Sequence, residues 1–171
     1  MIIKLKKLNK KSNIKDYVSW MNNYKITKYL DQHVKKHTKK TIIDYINFIN
    51  KSKSDFLFGI FVKKINKYLH VGNIKLGRIN DIHKTGMISL FVGDKKFHNQ
   101  NIGSKAISKV CLIAKKKGLF KVYAGCHKSN IPSQRAFLKN NFFQEGVQKR
   151  QVVLGKKRED LIWYGLFLQK K

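Results

Sequence analysis

The sequence predicts one mixed α/β domain, with a sheet of about seven mostly antiparallel strands and helices that flank it. Its 171 residues suit a single domain with its own core, and a hydrophobic content of 42% with 12% aromatic residues suits a globular protein. Apolar residues recur with the period of a helix in some segments and of a strand in others. Since no internal repeat or linker interrupts these segments, residues 1–171 are expected to form one domain.

The first third of the chain reads as a strand followed by helices, and a hairpin comes next. The predicted elements are a strand over residues 2–8, a helix capped by Ser12 or Asn13 and carrying Ile14, Tyr17, Val18 and Met21, a short helix carrying Ile26, Tyr29 and Leu30, a solvated connection over residues 33–37, and a helix that ends near residues 51–53. Thr41 and Asp44 have the spacing of a capping box at the start of that last helix. Residues 56–62 predict a strand covered on both faces, which pairs with a strand over residues 68–76.

The most informative stretch is residues 85–142. A strand over residues 86–92 gives way to small and polar residues and then to a helix over residues 102–117, which Gly118 ends. One side of this helix should be buried, because it carries Ile102, Ala106, Ile107, Val110, Cys111 and Ala114. The N–H groups of a first helical turn lack partners and the helix dipole favours negative charge there, so this end predicts an anion site suited to phosphate.

A second strand and helix follow, and a hairpin completes the chain. Residues 119–126 predict a strand, and Asn130 or Ser129 can cap a short helix from Ser133 to Asn141 that has Pro132 near its first turn. Beyond it, a long strand is predicted to reach Leu154, to turn at residues 155–157 and to return over residues 161–168.

Two motifs in this stretch resemble those of the GNAT superfamily of acetyl-CoA-dependent N-acetyltransferases. The second of them reads Asn130-x-x-Ser133-x-Arg135-Ala136-Phe137-x-Lys139-x-Asn141-Phe142 and is similar to the family's Asn-x-x-Ser-x-x-x-Tyr-x-Lys-x-Gly-Phe. The first, His98-x-x-Asn101-x-Gly103, stands where the family has its pyrophosphate loop, Arg/Gln-x-x-Gly-x-Gly/Ala. Asparagine tolerates the left-handed backbone best after glycine, so Asn101 preserves the loop. The chain looks most similar to the branch of ribosomal-protein N-terminal acetyltransferases, the RimJ/RimL type.

The resemblance implies a GNAT fold in which the central strands splay apart and acetyl-CoA, the co-substrate, lies between them. Main-chain groups at residues 90–92 would pair with the pantetheine arm, and an N–H near Val92 would stabilise the oxyanion. The residues expected to bind acetyl-CoA are Leu90, Phe91, Val92, His98, Gln100, Asn101, Ile102, Gly103, Ser104, Lys105, Asn130 and Ser133. Those expected at the catalytic centre are Asn130, Ser133 and Phe137, and no metal is expected.

The implied reaction is direct attack of a neutral primary amine on the thioester in a ternary complex, where positioning lowers much of the barrier. Phe137 stands at the family's general-acid tyrosine and cannot donate a proton, and Met87 stands where some relatives have a glutamate base. The candidate bases, acting through water, are Asp81, His83 and His98. Cys126 and His127 are neighbours on a strand and would point to opposite faces, which disfavours a covalent dyad.

The lack of an obvious strong base favours acceptors that lose a proton easily. A protein α-amine has a reference pKa of about 7.7–8.0 against about 10.4 for lysine, and an amino-sugar amine is also relatively acidic. Two acceptors stay open: a nucleotide-linked amino sugar and a protein N-terminal α-amine. Residues 14–53 and 149–163 are expected to shape the acceptor pocket, for which the candidate lining residues are Arg78, Trp163 and Tyr164.

The charge of the chain bears on its partners. Thirty-eight Lys and Arg against nine Asp and Glu give a net charge of +29, which attracts polyanions. Proteins that recognise the base edges of nucleic acids use arginine often. Arginine occurs here only at positions 78, 135, 150 and 158, so nucleic acid is a less favoured partner. The alternative function is a GNAT-fold domain that has lost turnover and binds nucleic acid through its charge.

The remaining composition points to a reduced compartment. Cys111 and Cys126 have no disulfide or metal-ligand spacing, and no segment approaches the ~18 consecutive apolar residues of a membrane span. We expect a cytoplasmic enzyme without a membrane partner, as a monomer or homodimer.

Overall fold

The protein is a mixed sheet with helices on both faces, seen in a computed structural model that describes residues 1–31 and 35–169. The predicted connection over residues 33–37 therefore lies partly outside the described residues. The elements are β1 (Ile3–Lys7), α1 (Ile14–Met21), α2 (Tyr24–Thr27), α3 (Lys39–Lys51), β2 (Phe56–Lys64), β3 (Lys67–Asn80), β4 (Thr85–Val92), α4 (Ile102–Lys116), β5 (Lys121–His127), α5 (Ile131–Leu138), β6 (Phe143–Leu154) and β7 (Lys157–Phe167).

The seven strands form one sheet in the order β1-β2-β3-β4-β5-β7-β6. Among the described strands, β4 and β5 are the one parallel pair, and every other pair of neighbours is antiparallel. The predicted mixed, mostly antiparallel α/β sheet with flanking helices is confirmed. None of the helices within residues 1–31 and 35–169 combines the length and apolarity needed to cross a bilayer.

The parallel pair separates soon after it begins. Residues 85–87 of β4 pair with residues 121–123 of β5, and the pairing ends there. Beyond this point β4 stays paired with β3 as far as Val92 opposite Gly72, and β5 stays paired with β7 as far as His127 opposite Leu161. We call the resulting gap, with residues 88–92 on one edge and residues 124–127 on the other, the fork. At ~3.3 Å per residue it is about 15 Å deep, and it confirms the expected splay of the central strands.

Two apolar clusters cover the two faces of the sheet. The larger joins α4 and α5 to the sheet and includes Ile88 of β4. The smaller is formed by α1, α3 and the strands beneath them, and Phe91 of β4 packs against it. Since alternate residues of a strand point to opposite faces, β4 contributes to both clusters and separates them.

Several boundaries differ from the sequence prediction for local reasons. The capping box of α3 is formed by Thr38 and Thr41, so the predicted box of Thr41 with Asp44 is wrong by three residues. Helix α5 begins at Ile131, two residues earlier than predicted, because Asn130 caps it and Pro132 lies in its first turn. Strand β7 begins at Lys157, because Gly155 has a φ of +61° and allows a tight hairpin turn.

The end of β4 is held against α1 by a close contact between Gly93 and the indole of Trp20. A Cβ added at Gly93 would overlap that ring, whereas a Cβ at Gly146 in β6 would meet nothing within 4 Å. Neither glycine has a positive φ among the described residues, so alanine fits both backbones. We predict that Gly93→Ala lowers the free energy of unfolding by ~1–3 kcal/mol through overpacking. Gly146→Ala should change it by less than ~0.5 kcal/mol, as for most surface substitutions. Denaturant unfolding measures both, and equal effects would contradict the assigned contact.

Candidate active site

The β4 edge of the fork offers main-chain groups to a ligand. The Gly93 N–H donates to the Val71 carbonyl of β3 at 2.8 Å. In an antiparallel pair the main-chain groups of successive residues point alternately towards and away from the partner strand, so those of Val92 and Leu90 face the fork. The main-chain groups of Phe91 face β3 instead. Its ring packs on Tyr17 at 6.0 Å and on Trp20 at 6.2 Å between centroids. Of the three predicted strand residues, Leu90 and Val92 therefore present polar main-chain atoms to the fork.

His98 forms a hydrogen bond with one of these main-chain groups. Its Nε2 lies 2.9 Å from the Val92 carbonyl oxygen, so this nitrogen carries a proton and donates it. The Val92 N–H remains directed at the fork, where it can meet a developing oxyanion. His98 was predicted to bind acetyl-CoA and was also considered as a base. It lies at the fork, but its side chain is hydrogen-bonded to the Val92 carbonyl of β4.

The start of α4 lacks a side-chain cap. Asn101 has the left-handed conformation with φ of +59°, and its side chain forms no hydrogen bond to the first helical turn. Its Oδ1 instead accepts a hydrogen bond from Lys139 Nζ at 3.3 Å. The N–H groups of Ile102, Gly103 and Ser104 are therefore available to an anion. A Cβ at Gly103 would lie 3.4 Å from Leu90 Cδ1, so this loop adjoins the β4 edge of the fork.

Two lysines lie near this helix start, and only one of them turns to the loop. Lys105, named from the sequence, donates from Nζ to the Met1 carbonyl at 2.7 Å on the β1 side of the helix. Lys139, which the sequence showed only as part of a motif, contacts Asn101 because α5 packs on α4. Asn140 fixes that packing by donating to Ser104 O at 3.1 Å and to Ser104 Oγ at 3.0 Å. Gln100 is exposed, and its side chain donates to Lys96 O at 2.6 Å.

The motif of α5 supports the β5 edge of the fork. The Asn130 side chain accepts from the Ser133 N–H at 3.4 Å, and Ser133 Oγ lies 3.4 Å from Cys126 Sγ. Burial raises the pKa of Cys126 to about 11, against a smaller opposing effect of the Ser133 hydrogen bond, so the thiol is protonated at neutral pH. A nucleophilic role for Cys126 is thereby disfavoured.

Phe137 is a core residue. It is 1% exposed and packs edge-on against Phe142, at 5.0 Å between centroids, and parallel to Tyr164 at 6.5 Å. Tyr164 does not replace the missing tyrosine acid, because it is 3% exposed and its hydroxyl donates to Gln134 Oε1 at 3.1 Å. Neither ring brings a proton donor to the fork.

Two of the predicted bases lie far from the fork. Asp81 and His83 occupy the turn between β3 and β4, which is the opposite end of β4 from Val92 and about 23 Å away at ~3.3 Å per residue. Arg78, a predicted pocket residue, lies at that same end. Within residues 1–31 and 35–169, no group of three or more His, Cys, Asp or Glu side chains could hold a metal ion.

The fork also contains a histidine–carboxylate pair that was not predicted from the sequence. His127 ends β5, and its Nδ1 lies 2.6 Å from Glu159 Oε1 of β7. Tyr29, just after α2, meets the imidazole edge-on at 5.3 Å between centroids. Trp163 lies on the same face, opposite Gly125, and donates from Nε1 to Gln148 at 2.9 Å. No sequence signal pairs His127 with Glu159, since 32 residues separate them.

A strand edge with free main-chain groups beside an uncapped helix start is what an extended thioester with a diphosphate requires. Fold and site together define a coenzyme A-dependent acyltransferase. Residues 3–142 match the family model described as acetyltransferase (GNAT) domain. The chain thus belongs to the GNAT family of acetyltransferases, and it transfers the acetyl group of acetyl-CoA to an amine.

Similar proteins agree with this family. Glucosamine 6-phosphate N-acetyltransferase 1 of Dictyostelium discoideum is 26% identical over 116 residues, which cover 66% of this chain and 72% of that protein. The fold is shared with spermidine N-acetyltransferase from Vibrio cholerae in complex with CoA and spermine, with a TM-score of 0.87, 14% identity and coverage of 97% and 95% of the two chains. It is also shared with RimL, a ribosomal-protein alpha-N-acetyltransferase in complex with coenzyme A, with a TM-score of 0.84, 17% identity and coverage of 96% and 93%.

The glycine at the start of α4 allows a test of the phosphate site. In Gly103→Val the fold should persist, because the nearest atom to the added Cβ is Leu90 Cδ1 at 3.4 Å. The branched side chain should keep a diphosphate away from the first-turn amides and lower the affinity for acetyl-CoA by about tenfold or more, ~1.4 kcal/mol. Ser108→Val, an exposed position one turn further along α4, is the matched control for helix propensity. Calorimetric titration with acetyl-CoA measures both variants, and an unchanged affinity of Gly103→Val would place the phosphate elsewhere.

Proposed function

We propose that this acetyltransferase acts on the primary amine of a phosphate-bearing amino sugar, such as a nucleotide-linked one. The observation that carries this proposal is the charge distribution around His127 at the fork, where the carboxylates are paired and the lysines are exposed. A protein N-terminal α-amine is the second candidate, and it rests on the similarity of the motifs to the RimJ/RimL branch.

The carboxylates nearest the fork are already paired. Glu159 accepts from His127 and from the Ser129 N–H at 3.2 Å. Asp160 accepts from the Arg150 N–H at 3.0 Å and lies 3.5 Å from the amines of both Lys128 and Lys149. A polyamine acceptor needs carboxylates that are free to bind its ammonium groups. The pairing of Glu159 and Asp160 therefore argues against a polycation.

Lysines border the same region. The side chains of Lys128 and Lys149 are 65% and 78% exposed, and Lys28 Nζ lies 4.7 Å from the ring centre of Tyr29, which contacts His127. Lys128 and Lys149 share the one carboxylate of Asp160, so a net positive charge remains there that attracts phosphate and repels a polyamine. Their positions support an acceptor that carries its amine on a phosphorylated small molecule.

The basicity of the acceptor amine supports the same class. In the described ranges the carboxylates Glu159 and Asp160 at the fork are already paired, so none is free to deprotonate an alkylammonium with a pKa of about 10.4, whereas amines with pKa values near about 8 require less assistance. The curated relative at 26% identity is named for an amino-sugar phosphate acceptor. Spermidine N-acetyltransferase and RimL share the fold at 14% and 17% identity, so their substrates do not bear on the choice.

Release of the coenzyme A thiol across a panel of amines tests the proposal. The panel contains hexosamine phosphates, nucleotide-linked amino sugars, N-terminal peptides and spermidine. The highest kcat/KM is expected for a phosphate-bearing amino sugar. Preference for peptides would select the second candidate, and preference for spermidine would contradict the charge argument.

A variant links that preference to the lysines. Replacing Lys128 and Lys149 together with alanine should raise KM for the phosphate-bearing acceptor about tenfold, ~1.4 kcal/mol, while the affinity for acetyl-CoA stays unchanged. The matched control is Lys116→Ala, an exposed lysine at the far end of α4. An equal KM for the control and the double variant would show that net charge, and not these two lysines, attracts the acceptor.

A further inference from the structure

His127 has the surroundings of a proton-accepting imidazole. Its Nδ1 lies 2.6 Å from Glu159 Oε1, and Glu159 in turn accepts from the N–H of Ser129 at 3.2 Å and from its hydroxyl at 3.1 Å. Burial acts to raise the pKa of Glu159, but the hydrogen bonds from Ser129 and His127 outweigh it and hold that pKa below its ordinary value. Glu159 is therefore ionised at neutral pH and can only accept hydrogen bonds.

The ionised carboxylate determines the tautomer of His127. Because Glu159 accepts, Nδ1 must carry the proton, and Nε2 of the neutral ring is left with its lone pair. Nε2 lies on the opposite edge of the imidazole and so points away from β7. It forms no hydrogen bond with any residue in the described ranges. The His127 side chain as a whole is 9% exposed, so it is close to but not sealed from solvent.

The face of the sheet on which His127 lies is the one an acceptor would use. Cys126 and its β7 partner Ile162 belong to the core beneath α4 and α5, and His127 points to the other face, under Tyr29. The uncapped start of α4 lies on the Cys126 face. A thioester held from the α4 face and an amine arriving past Tyr29 can meet only where the sheet is open, which is the fork.

Among the residues that the structure describes, Glu159 is the one charged group paired with the His127 imidazole. Glu159 faces it from β7, and Tyr29 covers it from the α2 side with its hydroxyl directed to the Ser129 carbonyl at 3.3 Å. Lys128, the next residue, turns to Asp160 at 3.5 Å. From α5, Gln134 donates to the His127 carbonyl at 3.1 Å and brings no charge.

We propose that His127 accepts the proton of the acceptor amine through Nε2, and that Glu159 is the positioning residue that fixes its tautomer. This inference rests on the proposed function, since its kinetic tests use the acceptor proposed above. His127 takes one proton from the bound ammonium and later returns it to solvent. The neutral amine attacks the carbonyl carbon, a C–N bond forms and the C–S bond breaks. The proton then lost by nitrogen passes to the sulfur of the departing coenzyme A.

The pair could also serve only to tie β5 to β7, and the two roles differ in their pH dependence. A proton acceptor matters most where the amine is protonated, and its loss matters little at high pH, where the amine is neutral without help. A purely structural bond would cost the same factor at every pH. The variants His127→Asn and Glu159→Gln, with His83→Asn in the distant β3–β4 turn as the matched control, distinguish these roles.

The expected results follow from general acid–base catalysis. With the best acceptor of the panel, His127→Asn should lose about 10²–10⁴-fold in kcat/KM at neutral pH, and this loss should shrink as the pH rises past the pKa of the amine. Glu159→Gln should show a smaller loss of the same pH dependence. Exogenous imidazole should restore part of the activity of His127→Asn, and affinity for acetyl-CoA should match the wild type in all three variants.

Two results would overturn the proposal. One is a His127→Asn enzyme with wild-type kcat/KM at neutral pH, or with a loss that does not change with pH. The other needs no acceptor: ¹⁵N NMR of the His127 imidazole should show the Nδ1–H tautomer, and an Nε2–H tautomer would rule out proton acceptance. If the wild type acetylates no amine of the panel, the proposed function fails, and the NMR measurement still decides the state of His127.

Discussion

The structure depends on the place where two parallel strands stop pairing. Strand β4 leaves β5 after Met87 but keeps its hydrogen bonds to β3, and β5 keeps those to β7. Backbone groups on the inner edges of the fork are consequently left without a strand partner. Such groups bind an extended ligand well, because unpaired N–H and C=O groups are costly to bury. The gap in the sheet is thus the feature on which the candidate site depends.

The fork also explains how one sheet can receive two substrates from opposite sides. The uncapped first turn of α4, which we propose to hold the diphosphate, lies on one face, and His127, Glu159 and Tyr29 lie on the other. Strands elsewhere in the sheet are paired and keep the faces apart. Under the proposed arrangement the reacting carbon and nitrogen approach each other through the gap, and positioning would supply much of the catalysis.

Local features of the site could be predicted from the sequence. The period of apolar residues in α4, the glycine that ends it and a cap at Asn130 or Ser129 depend on neighbours within a few residues, and the structure has all three, with Asn130 as the cap. The left-handed backbone at Asn101 also follows from the chemistry of that residue. The motifs led to the family, which the match over residues 3–142 shows.

Contacts between distant segments could not be predicted. Lys139 reaches Asn101 from 38 residues away, and Glu159 reaches His127 from 32 residues away, because α5 packs on α4 and β7 pairs with β5. The same limit explains Asp81 and His83, which are plausible bases by residue type and lie at the wrong end of β4. The residue type indicates which chemistry a side chain can perform, but the direction and pairing of the strands determine which side chains come into contact.

Hydrogen–deuterium exchange with and without saturating acetyl-CoA tests most directly whether the gap between β4 and β5 receives the thioester. Amides of Leu90, Val92 and residues 102–104 should exchange more slowly in the complex, because the bound arm and diphosphate take their hydrogen bonds. Residues 58–62 of β2, already paired with β1 and β3, should be unchanged. Saturated binding that leaves Leu90, Val92 and residues 102–104 unprotected would contradict the account.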